Sequence, residues 1–307
     1  MKKIIQLIRK YFKEHFSPIY FIAILLFTAA LISIEYYYDV ERVYIDWEPG
    51  SAKRLSRYIM MYALAFGGAY LLYAFTRHRK NLWNWKLWAM ILFGVLLFSV
   101  RTWFHHYTAF TQKIPIDYQT VANKYVINLQ GFIFIFIPVV VYWFIVDRRK
   151  EPLYGFKTKY VLLKPYFFLL LLMLPLIIAA ATQPDFLQTY PRVFRLGLPD
   201  NAAHKTLLSF IYELCYASDF ITTEFFFRGF LIMAFTRYAG AQAILPMCVF
   251  YVTIHFGKPL GETISFFFGG WLLGILAYET RSIYGGIIVH LGIAMMMEVV
   301  AYCASVL

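Results

Sequence analysis

Apolar residues occur along this chain in long runs rather than in the short alternating patterns of a soluble domain. Most runs approach the roughly 20 residues that an α-helix needs to cross a bilayer. Polar and basic residues are concentrated between the runs. This pattern predicts an all-α, polytopic membrane protein with about nine transmembrane helices, at about 18–38, 57–76, 87–104, 126–146, 165–182, 206–236, 241–257, 260–278 and 283–305.

The first 17 residues follow a different pattern, in which basic and apolar residues alternate at helical spacing. Ile4, Ile8 and Tyr11 fall on one side of such a helix, and lysines and an arginine supply the charge. The pattern predicts an amphipathic interfacial helix over residues 1–17. A signal peptide is the alternative because an apolar run follows, but the basic region is long and no clear small-residue cleavage site comes after it.

The composition agrees with a membrane protein. The 307 residues are 61% hydrophobic and 21% aromatic, and only 15% are charged, which is far from the composition of a soluble domain. The net charge of +12 raises the question of nucleic acid binding. The cations cluster between apolar runs, however, where they set topology and meet anionic lipid headgroups. We therefore expect the lipid bilayer, and no nucleic acid, as a partner.

A basic stretch at about 147–165 is the best internal boundary. It separates an N-terminal four-helix membrane region, residues 18–150, from a C-terminal region, residues 151–307. Basic clusters such as 77–80 and 148–150 lie on the same side as the N-terminus, whereas Arg101 belongs to the other side. Because cytoplasmic loops are richer in Lys and Arg, we expect a cytoplasmic N-terminus in a multi-pass protein of a bacterial inner membrane.

Glu224 and Arg228 are the first residues with candidate chemistry. They lie four positions apart in a run of phenylalanines, so that they share one helix face in the order that favours an ion pair. Charges inside a membrane are costly and usually functional. The simpler interpretation is an ion pair that locks this helix to a neighbour.

Two histidines follow in later apolar runs. His255 lies four residues after Tyr251, on the same helix face, and His290 lies well inside the last predicted span. A histidine at a helix end is most often a hydrogen-bonding group. His290 is harder to dismiss, since an imidazole within a span needs a polar partner.

Together these residues resemble the CAAX prenyl endopeptidase and bacteriocin-processing (CPBP, or Abi) family of intramembrane proteases. The resemblance covers about residues 205–300. It rests on the ordered set Glu-x-x-x-Arg-Gly, aromatic-x-x-x-His, a Gly-rich span and a last His, which here are Glu224, Arg228, Gly229, Tyr251, His255, Gly269, Gly270, Gly274 and His290. It implies a C-terminal helical bundle of CPBP type in residues 151–307, with Glu224, Arg228, His255 and His290 as catalytic-site residues.

The sequence departs from the family pattern at three motif positions. Thr223 replaces the first of two adjacent glutamates, Tyr251 replaces the usual phenylalanine, and Ala294 replaces an Asn or Asp four residues after the last His. In the family, the first glutamate and the second-motif His are thought to activate water, and the last His and Asn to stabilise the oxyanion. Threonine cannot act as a general base near neutral pH without help.

Substitutes for the missing groups can be suggested from spacing. Asp219 lies one helical turn before Thr223, and Glu298 lies one turn after Ala294. For Asp219, a solvated or helix-capping group is the stronger interpretation. Glu224, His255 and His290 would also suit a divalent metal, but Arg228 already offers Glu224 a cationic partner. We therefore expect no cofactor and do not favour a metal.

Two functions remain open. The first is a CPBP-like intramembrane endopeptidase homologue, with reduced or lost proteolysis, that binds a peptide or the end of a membrane helix. The alternative is a non-catalytic membrane subunit that holds a partner protein or a lipid in the same cavity. A transporter is a weaker option, because no inverted repeat or paired broken helices are visible.

Overall fold

A computed structural model describes residues 2–77, 83–149, 152–157, 163–199 and 201–306. The described residues form helices and their connections, with no strand among them, which confirms the all-α class. The basic residues at 78–80, 150 and 159 that contributed to the expected orientation lie outside this part. The ten longest helices are α1 (Lys2–Glu14), α2 (Pro18–Tyr38), α3 (Ala52–Arg77), α4 (Trp85–Trp103), α5 (Ile116–Asp147), α6 (Leu163–Ala180), α7 (Lys205–Glu224), α8 (Ile244–Thr253), α9 (Leu260–Thr280) and α10 (Tyr284–Val306).

Within the described ranges, seven helices are long and apolar enough to cross a membrane: α2 to α6, α9 and α10. The polytopic class is therefore confirmed, and the difference from nine spans lies in the two remaining runs. The run at 206–236 becomes α7 followed by a ten-residue π-helical segment, Phe225–Ala234, and together they contain several charged residues. The run at 241–257 contains only the short helix α8.

Helix α8 lies in the middle of the molecule. All ten of its residues are buried, and it packs against α2, α3, α9 and the π-helical segment. Ten residues rise only about 15 Å, which is half of the roughly 30 Å hydrocarbon core. A helix that is apolar on all sides is stable where other helices surround it, so α8 is a core helix.

The N-terminal and C-terminal regions share one apolar core. The ring of Phe250 on α8 lies 5.1 Å from Tyr62 and 5.4 Å from Phe66, both on α3, and 5.7 Å from Phe98 on α4, measured between centroids. Aromatic pairs at these distances bury much apolar surface and stabilise their contact further. Helices α3 and α4 therefore form one wall of the core around α8.

Helix α1 packs on α9. It buries Ile4 and Tyr11, and Lys10 Nζ donates to Glu279 Oε2 at 2.8 Å. Ile5 and Phe12 stay exposed on the same helix. One apolar side of the predicted amphipathic helix thus packs against the rest of the protein.

Candidate active site

The ion pair predicted from sequence forms at the junction of α7 and the π-helical segment. Glu224 is 0% exposed and Arg228 is 1% exposed, and Arg228 Nη1 lies 3.0 Å from Glu224 Oε1. Removing two charges from water costs several kcal/mol per ion unless each finds good partners. The pair is therefore stable only as part of a larger polar arrangement.

Two glycines let other backbone segments come close to this pair. A Cβ on Gly286 of α10 would lie 2.2 Å from Glu224 Oε2, and a Cβ on Gly229 would lie 2.7 Å from the carbonyl oxygen of Tyr154. Neither position has room for a side chain. Gly229 and Gly286 thus allow neighbouring segments to pack closely, which is a usual role of small residues in membrane helices.

His290 connects the ion pair to α8. Its Nδ1 lies 2.9 Å from Glu224 Oε1, and its Nε2 lies 3.4 Å from the hydroxyl oxygen of Tyr251. The Phe220 ring packs edge-on against the imidazole at 4.7 Å. The imidazole side chain is 16% exposed. The histidine that needed a polar partner inside the last span therefore has one on each ring nitrogen.

Arg228 has a second partner in the aromatic ring of Tyr251. Its Cζ lies 4.1 Å from the ring centroid, well within the range of a cation–π contact. In the described part of the chain, Arg228 Nε and Nη1 and Glu224 Oε2 are buried without a hydrogen-bond partner. The guanidinium is thus held by the Glu224 carboxylate and by the face of the Tyr251 ring, and not by a bidentate hydrogen bond.

His255 lies just beyond the end of α8. Its Nδ1 is 2.6 Å from the carbonyl oxygen of Tyr251. A carbonyl only accepts, so Nδ1 carries the proton and Nε2 keeps a lone pair. The imidazole stacks on Phe266 with 3.6 Å between centroids. This arrangement gives His255 a fixed tautomer and orientation, which is what a general base requires.

The segment after His255 is held by the N-terminal region. The Tyr36 hydroxyl at the end of α2 donates to the Lys258 carbonyl at 2.5 Å and lies 2.6 Å from Thr263 Oγ1. Thr263 Oγ1 in turn donates to the carbonyl oxygen of His255 at 3.0 Å. The sequence does not indicate these contacts, because Tyr36 resembles any interfacial tyrosine.

Glu41 is a second N-terminal group beside this segment. It lies between α2 and α3, and its Oε2 would be 3.8 Å from a Cβ on Gly257. Burial, together with the nearby carboxylates of Asp46 and Glu35, raises the pKa of Glu41 to about 8. The raised pKa means that this carboxyl is largely protonated at neutral pH.

The altered motif positions lie in different surroundings. Thr223 is partly buried. Ala294 is buried in an apolar cluster with Tyr212 and Tyr216, so that α10 presents a methyl group at this position. Tyr251 is 2% exposed and contacts both Arg228 and His290. Of the three departures, only Tyr251 adds a polar group to the ion pair and histidine.

The two suggested substitutes have partners elsewhere. Both oxygens of Asp219 accept from Arg101 Nη2 at 2.8 Å, and both oxygens of Glu298 accept from the backbone N–H of Arg192 at 3.1 and 2.8 Å. The charge pattern predicts Arg101 on the side opposite the N-terminus, and the structure places it in the last turn of α4. Its position in the apolar run of α4 was the available signal that it needs a carboxylate partner.

The metal hypothesis has no support in the geometry. In the ranges that the structure describes, no group of three or more His, Cys, Asp or Glu side chains could hold an ion. Glu224 contacts His290, but His255 does not join them in such a group. The set Glu224, His255 and His290 is therefore not assembled as a ligand set.

A groove of about 700 Å³ lies between the start of α7, the end of α10 and the loop before α7. Phe194 and Tyr302 form part of its wall and pack together at 5.5 Å. Lys205, Thr206 and Ser209 supply its polar side. None of the four predicted catalytic residues lines it, so the groove is separate from the predicted catalytic residues.

Residues 205–296 match the family model described as Type II CAAX prenyl endopeptidase Rce1-like. The match confirms the resemblance and covers the ion pair, both histidines and all three departures. Searches of the curated proteins and of the solved structures gave no significant match. The C-terminal part of this helical membrane protein is thus similar to the CPBP family.

Proposed function

We propose that this protein is an intramembrane endopeptidase homologue that binds a peptide segment or helix end and hydrolyses it far more slowly than a site with both glutamates. One observation carries the proposal. Glu224, the carboxylate that remains in the first motif, is already bound to Arg228 and His290. Its role is to brace the guanidinium and the imidazole, which leaves water activation to other groups.

His255 supports the retention of a reaction site. Its protonated Nδ1 is held by a backbone carbonyl, so the lone pair on Nε2 can take a proton from water. In the family, a glutamate assists this step from the position that Thr223 occupies here. A positioned general base contributes roughly 100- to 10,000-fold to a rate, and the threonine hydroxyl cannot replace it.

The two suggested carboxylates do not restore the base. Asp219 is paired with Arg101, and Glu298 with the backbone of Arg192. The methyl group of Ala294 likewise supplies no donor for an oxyanion, a loss that typically costs about 100- to 1,000-fold. Both losses favour binding with slow hydrolysis over efficient proteolysis.

Restoring the first glutamate tests this proposal. We expect Thr223→Glu to raise the hydrolysis of a membrane-embedded reporter peptide by about 100-fold over the parent, in purified protein reconstituted into vesicles. Thr223→Gln, which has the same length but no basic group, should stay at the parent rate. His255→Ala in the Thr223→Glu background should abolish the gain. Equal rates for the Glu and Gln variants would contradict the proposal.

The groove supports a second candidate, a non-catalytic membrane subunit that binds a lipid or partner protein. Its aromatic wall and its polar side suit an amphipathic molecule. Native mass spectrometry would decide between the two functions if Thr223→Glu gains no activity. A lipid that remains bound to the parent and is lost on Phe194→Ala and Tyr302→Ala would favour the subunit.

We also propose a cytoplasmic N-terminus in a bacterial inner membrane. The basic residues Lys2, Lys3, Arg9 and Lys10 near the N-terminus support this orientation. A cytoplasm-active reporter fused to the N-terminus should be functional, and a periplasm-active reporter at the same point should be silent. The reverse result would overturn the orientation.

A further inference from the structure

Tyr251 departs from the family pattern, and its side chain contacts both Arg228 and His290. The family usually has a phenylalanine there, which has no hydroxyl group. In this protein the hydroxyl oxygen lies 3.4 Å from His290 Nε2, and Arg228 lies under the ring at 4.1 Å. The guanidinium and the buried surroundings hold the ring in place, so that the hydroxyl points to the imidazole.

The two partners of His290 determine which tautomer an uncharged ring adopts. Glu224 is paired with Arg228 and is ionised, so its Oε1 can only accept. The Nδ1 at 2.9 Å must therefore carry a proton. A neutral imidazole then has a lone pair on Nε2, and the Tyr251 hydroxyl is the donor that meets it. Each nitrogen of His290 thus has an internal partner.

We propose that Tyr251 is a positioning residue that donates to Nε2 of His290, with the imidazole proton on Nδ1, and so withdraws this imidazole from oxyanion stabilisation. The inference rests on the proposed function, since it explains the slow hydrolysis of the same site. An oxyanion needs an N–H donor aimed at it. With the hydroxyl bound to Nε2, the side of the ring that faces away from Glu224 carries no proton. Tyr251 and Ala294 together then remove both oxyanion donors.

Chemical modification of the ligand-free protein tests the hydrogen bond directly. Diethyl pyrocarbonate modifies an imidazole nitrogen that has a free lone pair. At pH about 8, where imidazoles are neutral, we expect Tyr251→Phe to increase the modification rate of His290 about fivefold, the factor that corresponds to one hydrogen bond of about 1 kcal/mol. The exposed His106, measured by mass spectrometry in the same sample, serves as the rate reference. An unchanged ratio of His290 to His106 would overturn the proposal.

A second measurement needs no variant and therefore no assumption about folding. The ¹⁵N spectrum of the wild-type protein should show His290 with a protonated Nδ1 and an unprotonated Nε2. A proton on Nε2 in the wild type would overturn the proposal equally.

An activity comparison separates this inference from the proposed function. Adding Tyr251→Phe to Thr223→Glu frees Nε2 to bind a proton from water and to donate a hydrogen bond from that N–H to the oxyanion. We expect a further gain of at least about 10-fold, part of the roughly 100-fold that one oxyanion donor supplies. No gain on adding Tyr251→Phe to an active Thr223→Glu enzyme counts against the inference alone. No activity in Thr223→Glu itself counts against the proposed function, while the modification and ¹⁵N measurements still decide on Tyr251.

Discussion

Two buried carboxylates pair with arginines in this protein, and their surroundings differ. Asp147, at the end of α5, accepts from Arg237 Nη1 at 2.6 Å and from Nη2 at 2.9 Å, and from the Tyr154 hydroxyl at 2.6 Å. Each of its oxygens is hydrogen-bonded. In Glu224, Oε1 serves both Arg228 and His290, while Oε2 is a buried atom for which the described residues offer no hydrogen-bond partner.

The difference separates a structural clamp from a candidate reaction site. Arg237 contacts Asp147 through a bidentate pair of hydrogen bonds, which gives geometric specificity. The pair connects α5 to the segment that follows the π-helical segment. The Glu224 pair retains polar atoms that its surroundings do not fully satisfy, and it includes a histidine. Native proteins leave few such atoms buried, and catalytic sites are one of the places where they occur.

The largest effect is expected on removing one carboxylate from each pair. Glu224→Ala leaves Arg228 buried and without its charge partner, which typically costs about 3–5 kcal/mol. Asp147→Ala should cost less, about 1–3 kcal/mol, because the Arg237 side chain is 31% exposed and retains water. Thermal unfolding in detergent measures both variants. A greater loss of stability for Asp147→Ala than for Glu224→Ala would contradict this comparison.

A smaller effect is expected from a methyl group placed against the Glu224 pair. In Gly286→Ala the new Cβ would lie 2.2 Å from Glu224 Oε2, and overpacking of this kind typically costs about 1–3 kcal/mol. Gly269→Ala on α9 is the matched control, since a Cβ there meets nothing within 4 Å. Its stability should stay the same or rise slightly. Equal stabilities for the two variants would contradict the proposed close contact.

The next effect in size is the change of folding stability with pH that the Glu41 carboxyl causes. Its pKa, raised by burial and by Asp46 and Glu35 to about 8, exceeds the usual value for an unfolded chain of about 4.3. Between these two values the folded state binds the extra proton, so stability falls as the pH rises from about 5 to 8. After allowance for solvent screening we expect a loss of about 2 kcal/mol. Glu41→Gln should reduce this slope of the unfolding temperature against pH, and an unchanged slope would assign it to other groups.

The smallest effect is expected at the partly exposed Arg101–Asp219 pair. The two side chains are 21% and 25% exposed, and pairs that water can reach typically stabilise by about 1 kcal/mol or less. Asp219→Asn should therefore shift unfolding only slightly. It should also leave hydrolysis by the Thr223→Glu variant unchanged, because the Asp219 carboxylate is bound to Arg101. A loss of that activity would restore Asp219 as a catalytic base.

The hydrophobic pattern predicted the helical class well because crossing a bilayer imposes a length and a composition on each helix. It failed at α8. A run of apolar residues has the same composition whether lipid or other helices surround it. The run at 241–257 also includes the connections on both sides of α8, which made it seem long enough to span.

The residues of the site were predictable to different degrees. Glu224 and Arg228 share a helix face, so their contact followed from spacing. Contacts between distant parts of the chain did not. The pairing of Asp219 with Arg101 joins residues 118 positions apart, and the support of the His255 segment comes from Tyr36 in α2. Such contacts depend on how the helices pack, which a single sequence does not specify.

The hydrogen bonds of Tyr36 have a consequence for how this molecule can be divided. The family match begins at residue 205, yet the Lys258 carbonyl and Thr263 are bound by a residue that precedes it by more than a hundred positions. Transplanting residues 205–296 alone into another membrane protein would carry every motif and omit this support. The N-terminal helices are therefore part of the minimal unit for engineering, and a chimera should begin no later than α2.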